Sequence, residues 1–138
     1  MNRNQAARAA SIEPAGQDTG ALRLVRPAVL LRIEGLAALI VTVLLYREVG
    51  ESWWWFALLF FAPDLTFAGY AAGPKIGSVI YNAAHTTVLP LALAGIGVVG
   101  DSEMAVAVAL IWLAHIAMDR MLGYGLKLPT GFKDTHLG

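Results

Sequence analysis

The chain has 138 residues, enough for one domain, and 57% of them are hydrophobic against 14% charged. That is too apolar for an ordinary soluble domain of this size. The formal net charge is zero, so no nucleic-acid partner is expected. The lack of cysteine excludes disulfides and thiolate metal sites.

Residues 1–20, the greater part of an arm over 1–26, mix Arg3, Arg8, Glu13 and Asp18 with Ala, Gly and Pro. They contain no apolar core, so they do not form a signal peptide. They read as a disordered cytoplasmic arm. Pro27 to Tyr46 is the first apolar run. Pro27 suits a first helical position. Arg32 and Glu34 lie near its start, and no charge follows before Arg47. About twenty residues at 1.5 Å each cover roughly 30 Å, one bilayer core. Arg47 to Ser52 is a polar turn. Trp53 to Ala72 is the second run, opened by Trp53, Trp54 and Trp55 as an interfacial aromatic belt. Pro63 removes a backbone donor there and predicts a kink just before Asp64.

Gly73-Pro74-Lys75 reads as a tight turn. Ile76 to Val99 is the third run, with Tyr81, Asn82, His85, Thr86 and Thr87 in its first half and Pro90 as a second predicted kink. After the turn Gly100–Glu103, Met104 to Leu122 is the fourth run. It is followed by a polar tail, 123–138, expected to fold back on the bundle. Four spans joined by short turns predict an all-α, four-helix transmembrane bundle with up-down-up-down topology. Consecutive helices are then expected to be antiparallel neighbours. Arg3, Arg8, Arg23, Arg26, Lys75, Lys127 and Lys133 fall on one side, and Arg47 alone on the other. The positive-inside rule then places both termini in the cytoplasm. A faint echo links Asp64…Gly69-Tyr70 with Asp119…Gly123-Tyr124. A duplicated hairpin and chance similarity explain it equally well.

The ionisable residues inside these runs are the informative ones, because charges in a bilayer are costly and face a partner or a cavity. On an ideal helix, Asp64 lies about 16 Å below the outer boundary, and His115 and Asp119 about 16 and 22 Å below it. Asn82 and His85 lie roughly 9 and 14 Å above the inner boundary. His115 and Asp119 are spaced i, i+4, and so share one face; Asn82 and His85 are spaced i, i+3. Asp64, Asn82, His85, His115 and Asp119 are therefore expected to converge in the cytoplasmic half, with His136 reaching in from the tail. One reading is a structural or proton-sharing polar network, including an Asp119–Arg120 pair at the helix end. The other is a site in which Asp64, His85, His115 and Asp119 act as general acids or bases, or ligate a divalent ion together with His136. Nitrogen and oxygen donors of this kind suit zinc or manganese.

Arg32–Gly35 (RIEG), Pro63–Tyr70 (PDLTFAGY), Tyr81–His85 (YNAAH), Trp112–Arg120 (WLAHIAMDR) and Gly123–Gly138 (GYGLKLPTGFKDTHLG) resemble a bacterial integral-membrane family, domain of unknown function 4260. The resemblance covers about residues 28–138. It implies a multi-pass protein of the bacterial cytoplasmic membrane and carries no catalytic role. Two function classes follow. The chain is a structural, accessory, proton-handling or solute-handling membrane protein, or it is a membrane-embedded metal-dependent hydrolase acting on a lipid-like substrate. Its expected partners are membrane lipids, further copies of itself, or another membrane protein.

Overall fold

The structure is a computed structural model that describes residues 26–135. The arm before residue 26, and His136, lie outside the described residues. The rest is all-α, with four helical segments each long and apolar enough to cross a membrane: Pro27–Val49, Trp53–Ala72, Pro74–Val99 and Glu103–Leu122. The first and last are continuous helices, α1 (Pro27–Val49) and α5 (Glu103–Leu122). The middle two are each broken. The second span is α2 (Trp53–Leu59) followed by a 3₁₀ segment (Ala62–Ala72), and the third is α3 (Pro74–His85) followed by α4 (Val88–Val99).

Both breaks have the same cause. Pro63 has no N–H to offer the Leu59 carbonyl, and α2 ends at Leu59. Pro90 has none to offer the Thr86 carbonyl, and α3 ends at His85, with Thr86 extended at ψ 144°. The sequence signals a kink at each proline. The structure moves each discontinuity one turn earlier, to the residue whose acceptor is lost. Ends elsewhere follow capping chemistry. Gly50, in the left-handed region at φ 80°, ends α1 three residues beyond the predicted Tyr46. Ser102 starts α5 by accepting from the Ala105 N–H at 3.3 Å.

The centre of the molecule is α5. Half of its apolar window is buried, against 11% for α1 and 6% for the second span. Helix α1, α4 and, more lightly, α2 pack on it, while the 3₁₀ segment packs mainly on α3. The first span thus has its principal contact with the fourth and not with the second, unlike the neighbour order expected from short turns. Gly35 makes this possible. A Cβ there would stand 2.5 Å from the Met121 backbone nitrogen and 2.9 Å from the Ala117 carbonyl oxygen. Small residues at such contacts let two backbones approach closely. At the far end Tyr46, Ala107, Leu110 and Ile111 form the apolar core. Tyr46 is fully buried and donates its hydroxyl to the Ser52 carbonyl at 2.7 Å.

Candidate metal centre

Four of the predicted side chains meet at one point. His85 Nε2, His115 Nε2, one oxygen of Asp64 and one of Asp119 all lie within 4.8 Å of one another. The two ring nitrogens are 3.3 Å apart. His85 Nε2 stands 3.6 Å from Asp64 Oδ1 and 3.6 Å from Asp119 Oδ2. His115 Nε2 stands 3.5 and 3.7 Å from the same two oxygens.

Each of the four side chains arrives by its own local device. His115 and Asp119 project from one face of α5, one turn apart, so the regular helix sets their spacing. His85 is the last residue of α3, where the Pro90 break ends the helix. Asp64 sits in the first turn of the 3₁₀ segment, next to Pro63. Its side chain is 33% exposed, whereas those of His85, His115 and Asp119 are 4, 0 and 12% exposed. The cluster is thus sealed on the α5 side and open at Asp64.

The imidazole of His85 is oriented by its own helix. Its Nδ1 donates to the Tyr81 carbonyl at 2.9 Å. A carbonyl can only accept, so Nδ1 carries a proton and Nε2 is the nitrogen that faces the cluster. The ring also stacks on Tyr81, with centroids 3.6 Å apart and planes 13° apart. Tyr81 in turn donates its hydroxyl to Asp119 Oδ2 at 3.4 Å. His115 is walled by Phe60 and Phe61, met edge-on at 5.6 and 6.3 Å. Its Nδ1 has no hydrogen-bond partner among the described residues.

Among the described residues, neither carboxylate has a Lys or Arg within ion-pair distance. The Asp119–Arg120 pair considered from sequence does not form. Arg32 instead lies over Gly123, where a Cβ would meet its guanidinium. Asn82, expected in the cluster, faces elsewhere. It donates to the Lys127 carbonyl at 2.8 Å and accepts from the Lys127 N–H at 2.7 Å, which holds the tail. Tyr81 is the site residue that pattern reasoning passed over. Its i, i+4 spacing to His85 was the available signal.

These observations define an all-α chain with four candidate membrane spans and a buried His/Asp cluster. It belongs to the family described as domain of unknown function (DUF4260), whose model matches residues 28–138. No curated protein and no solved structure matches the chain.

Proposed function

We propose that this is a multi-pass membrane protein whose Asp64, His85, His115 and Asp119 hold one divalent metal ion, zinc or manganese. Donor spacing carries the reading. Donors bound to zinc at about 2.0–2.2 Å in a tetrahedron stand roughly 3.3–3.6 Å apart. Five of the six donor separations are 3.3, 3.6, 3.6, 3.5 and 3.7 Å, and the sixth, between the two carboxylate oxygens, lies within 4.8 Å. Charge supports it as well. Two carboxylates with no Lys or Arg partner among the described residues are costly at low dielectric, and a divalent cation neutralises both. The Tyr81 carbonyl on His85 Nδ1 is the kind of outer partner that metal-bound histidines use. Zinc needs only these four donors. Manganese takes more oxygen and nitrogen donors, which water and His136 would supply.

Four protein ligands close the ion off, which is the arrangement of structural sites. In this role the ion ties spans two, three and four together below the midplane. The spans then run up-down-up-down in the bacterial cytoplasmic membrane, with both termini inside, as the Lys/Arg distribution favours. The test is metal analysis of the detergent-purified full chain. A stoichiometric ion is expected, lost in His115→Ala while circular dichroism still reports a folded helical protein. Wild-type protein that takes up neither zinc nor manganese overturns the proposal and leaves a proton-sharing polar network.

One observation favours a second, catalytic reading. Asp64 is the most exposed of the four, on the least buried of the four spans. If Asp64 gives way to water, three ligands and an open position remain, as in metal-dependent hydrolases. A substrate at that depth would be lipid-like. Ester or phosphoester hydrolysis that survives Asp64→Ala but not His115→Ala would select this reading.

A further inference from the structure

The tail after α5 is built around a contact that the cluster itself does not explain. Helix α5 ends in a tight reversal: Gly123 lies at φ 91° and the Tyr124 N–H bonds back to the Asp119 carbonyl at 2.7 Å. Residues 127–135 then form a small closed loop. Lys127 and Thr135 make an antiparallel bridge, and the Leu128 N–H donates to the Asp134 carbonyl at 2.8 Å. The loop is fixed to α3 by the paired amide bonds between Asn82 and the Lys127 backbone.

From this anchor the Lys127 side chain lies along a group of aromatic rings near the surface. Its ammonium lies 4.7, 5.5 and 5.8 Å from the ring centroids of Phe132, Tyr81 and Phe67. It also donates to the Phe132 carbonyl at 2.8 Å. A cation among three aromatic faces is attracted to each, most strongly when partly desolvated. The rings continue as a stack. Phe67 lies on Tyr81 at 5.0 Å, and Tyr81 lies on His85 at 3.6 Å. Tyr81 therefore has the tail's ammonium near it, one ligand on its other face and a second ligand, Asp119, at its hydroxyl.

We propose that Asn82, Lys127 and Tyr81 form a clasp through which the C-terminal loop positions His85 and Asp119. Tyr81 is the positioning residue, and Lys127 and Asn82 hold it. The consequence for ion binding rests on the metal reading given above; the consequence for ring placement does not. Outer partners of metal ligands are worth about 10- to 100-fold in affinity. No residue of the clasp is itself among the four donors, so its effect must travel through ring placement.

The test uses the intact chain in detergent, with ¹⁵N-labelled histidine. The chain has three histidines, so the imidazole spectrum is sparse and single His substitutions assign it. Lys127→Met and Asn82→Ala are each expected to shift the His85 imidazole resonances, and Lys127→Arg to restore them. Cobalt titration of the same proteins should show roughly 10-fold weaker binding in the first two variants, with an altered visible spectrum, and recovery in the third. His85 resonances unmoved in both variants overturn the clasp, and so does a shift that Lys127→Arg leaves unreversed. Wild-type protein that takes up no cobalt overturns the metal reading alone, because the imidazole resonances report ring placement without an ion. If Asn82→Ala fails to fold, Lys127→Met decides the matter, since its side chain lies at the surface end of the stack.

Discussion

Helix α5 and the two broken spans supply the cluster in opposite ways. Helix α5 is continuous, half buried and contributes two of the four clustered side chains, and their separation is a property of the regular helix. Spans two and three contribute one side chain each, and in both it lies beside a proline-induced break. A broken span frees the chain to re-aim a side chain but loses regular backbone bonding, which membranes tolerate where the break is covered by protein. The same division recurs in transporters, where discontinuous helices carry the polar site against a more rigid partner. Here the continuous helix acts as scaffold, and the breaks bring the other two donors to it.

The largest effect expected from testing this division is that of removing the proposed ion. An ion present at about a thousand times its Kd adds roughly 4 kcal/mol to the folded state. Chelation should lower the thermal midpoint of the wild type by that increment. His115→Ala should show a midpoint that is insensitive to both ion and chelator. The next effect concerns the scaffold. Gly35→Ala puts a methyl group against the α5 backbone, which cannot yield as a side chain tip can. A loss of about 1–3 kcal/mol is expected from overpacking, read as lower resistance to thermal or denaturant unfolding. An unchanged midpoint would show that α1 is free to ride away from α5.

Pro63→Ala addresses the breaks. Proline costs about 3 kcal/mol relative to alanine in a helix interior, so its removal lets α2 continue past Leu59. Stability should hold or rise, while Asp64 rotates off the cluster. Ion affinity should fall about 10-fold, equivalent to 1.4 kcal/mol. Unchanged affinity would mean that packing of the 3₁₀ segment on α3, and not the proline, sets the break.

The parts of the fold that were legible are those controlled by short-range pattern. Apolar run length gave the four spans, and Gly, Ser and Pro gave their ends to within a few residues. The i, i+4 spacing of His115 and Asp119 put both on one face of α5, and depth counting put Asp64 and His85 at a compatible level. What was not legible depended on partners distant in sequence. Asn82 shares a helix stretch with His85, yet its amide is spent on a backbone 45 residues away, and no local periodicity signals that. The same holds for Lys127 among the rings of Phe67, Tyr81 and Phe132. Short turns suggested that span one would pack on span two. Gly35 redirected it, because the missing Cβ lets α1 approach the α5 backbone at Ala117 to Met121 closely.

The smallest effect should come at the exposed ligand, and it sharpens the contrast most directly. Asp64→Glu adds one methylene to a side chain that is one third exposed and carried by a 3₁₀ segment beside a break. The added length can be taken up toward the open edge, so the cost should resemble that of a surface change, within about 0.5 kcal/mol or roughly 2-fold in ion affinity. Asp119→Glu adds the same methylene where no such room exists. Asp119 is buried on the central helix, its Oδ2 accepts from the Tyr81 hydroxyl, and both imidazoles stand within 3.7 Å. Overpacking there should cost about 1–3 kcal/mol, or roughly 5- to 140-fold in affinity. Cobalt titration of both variants against wild type measures the ratio. Equal losses at the two positions would mean that the carboxylates are held with equal rigidity, and the distinction between a fixed helix and an adaptable break would not survive.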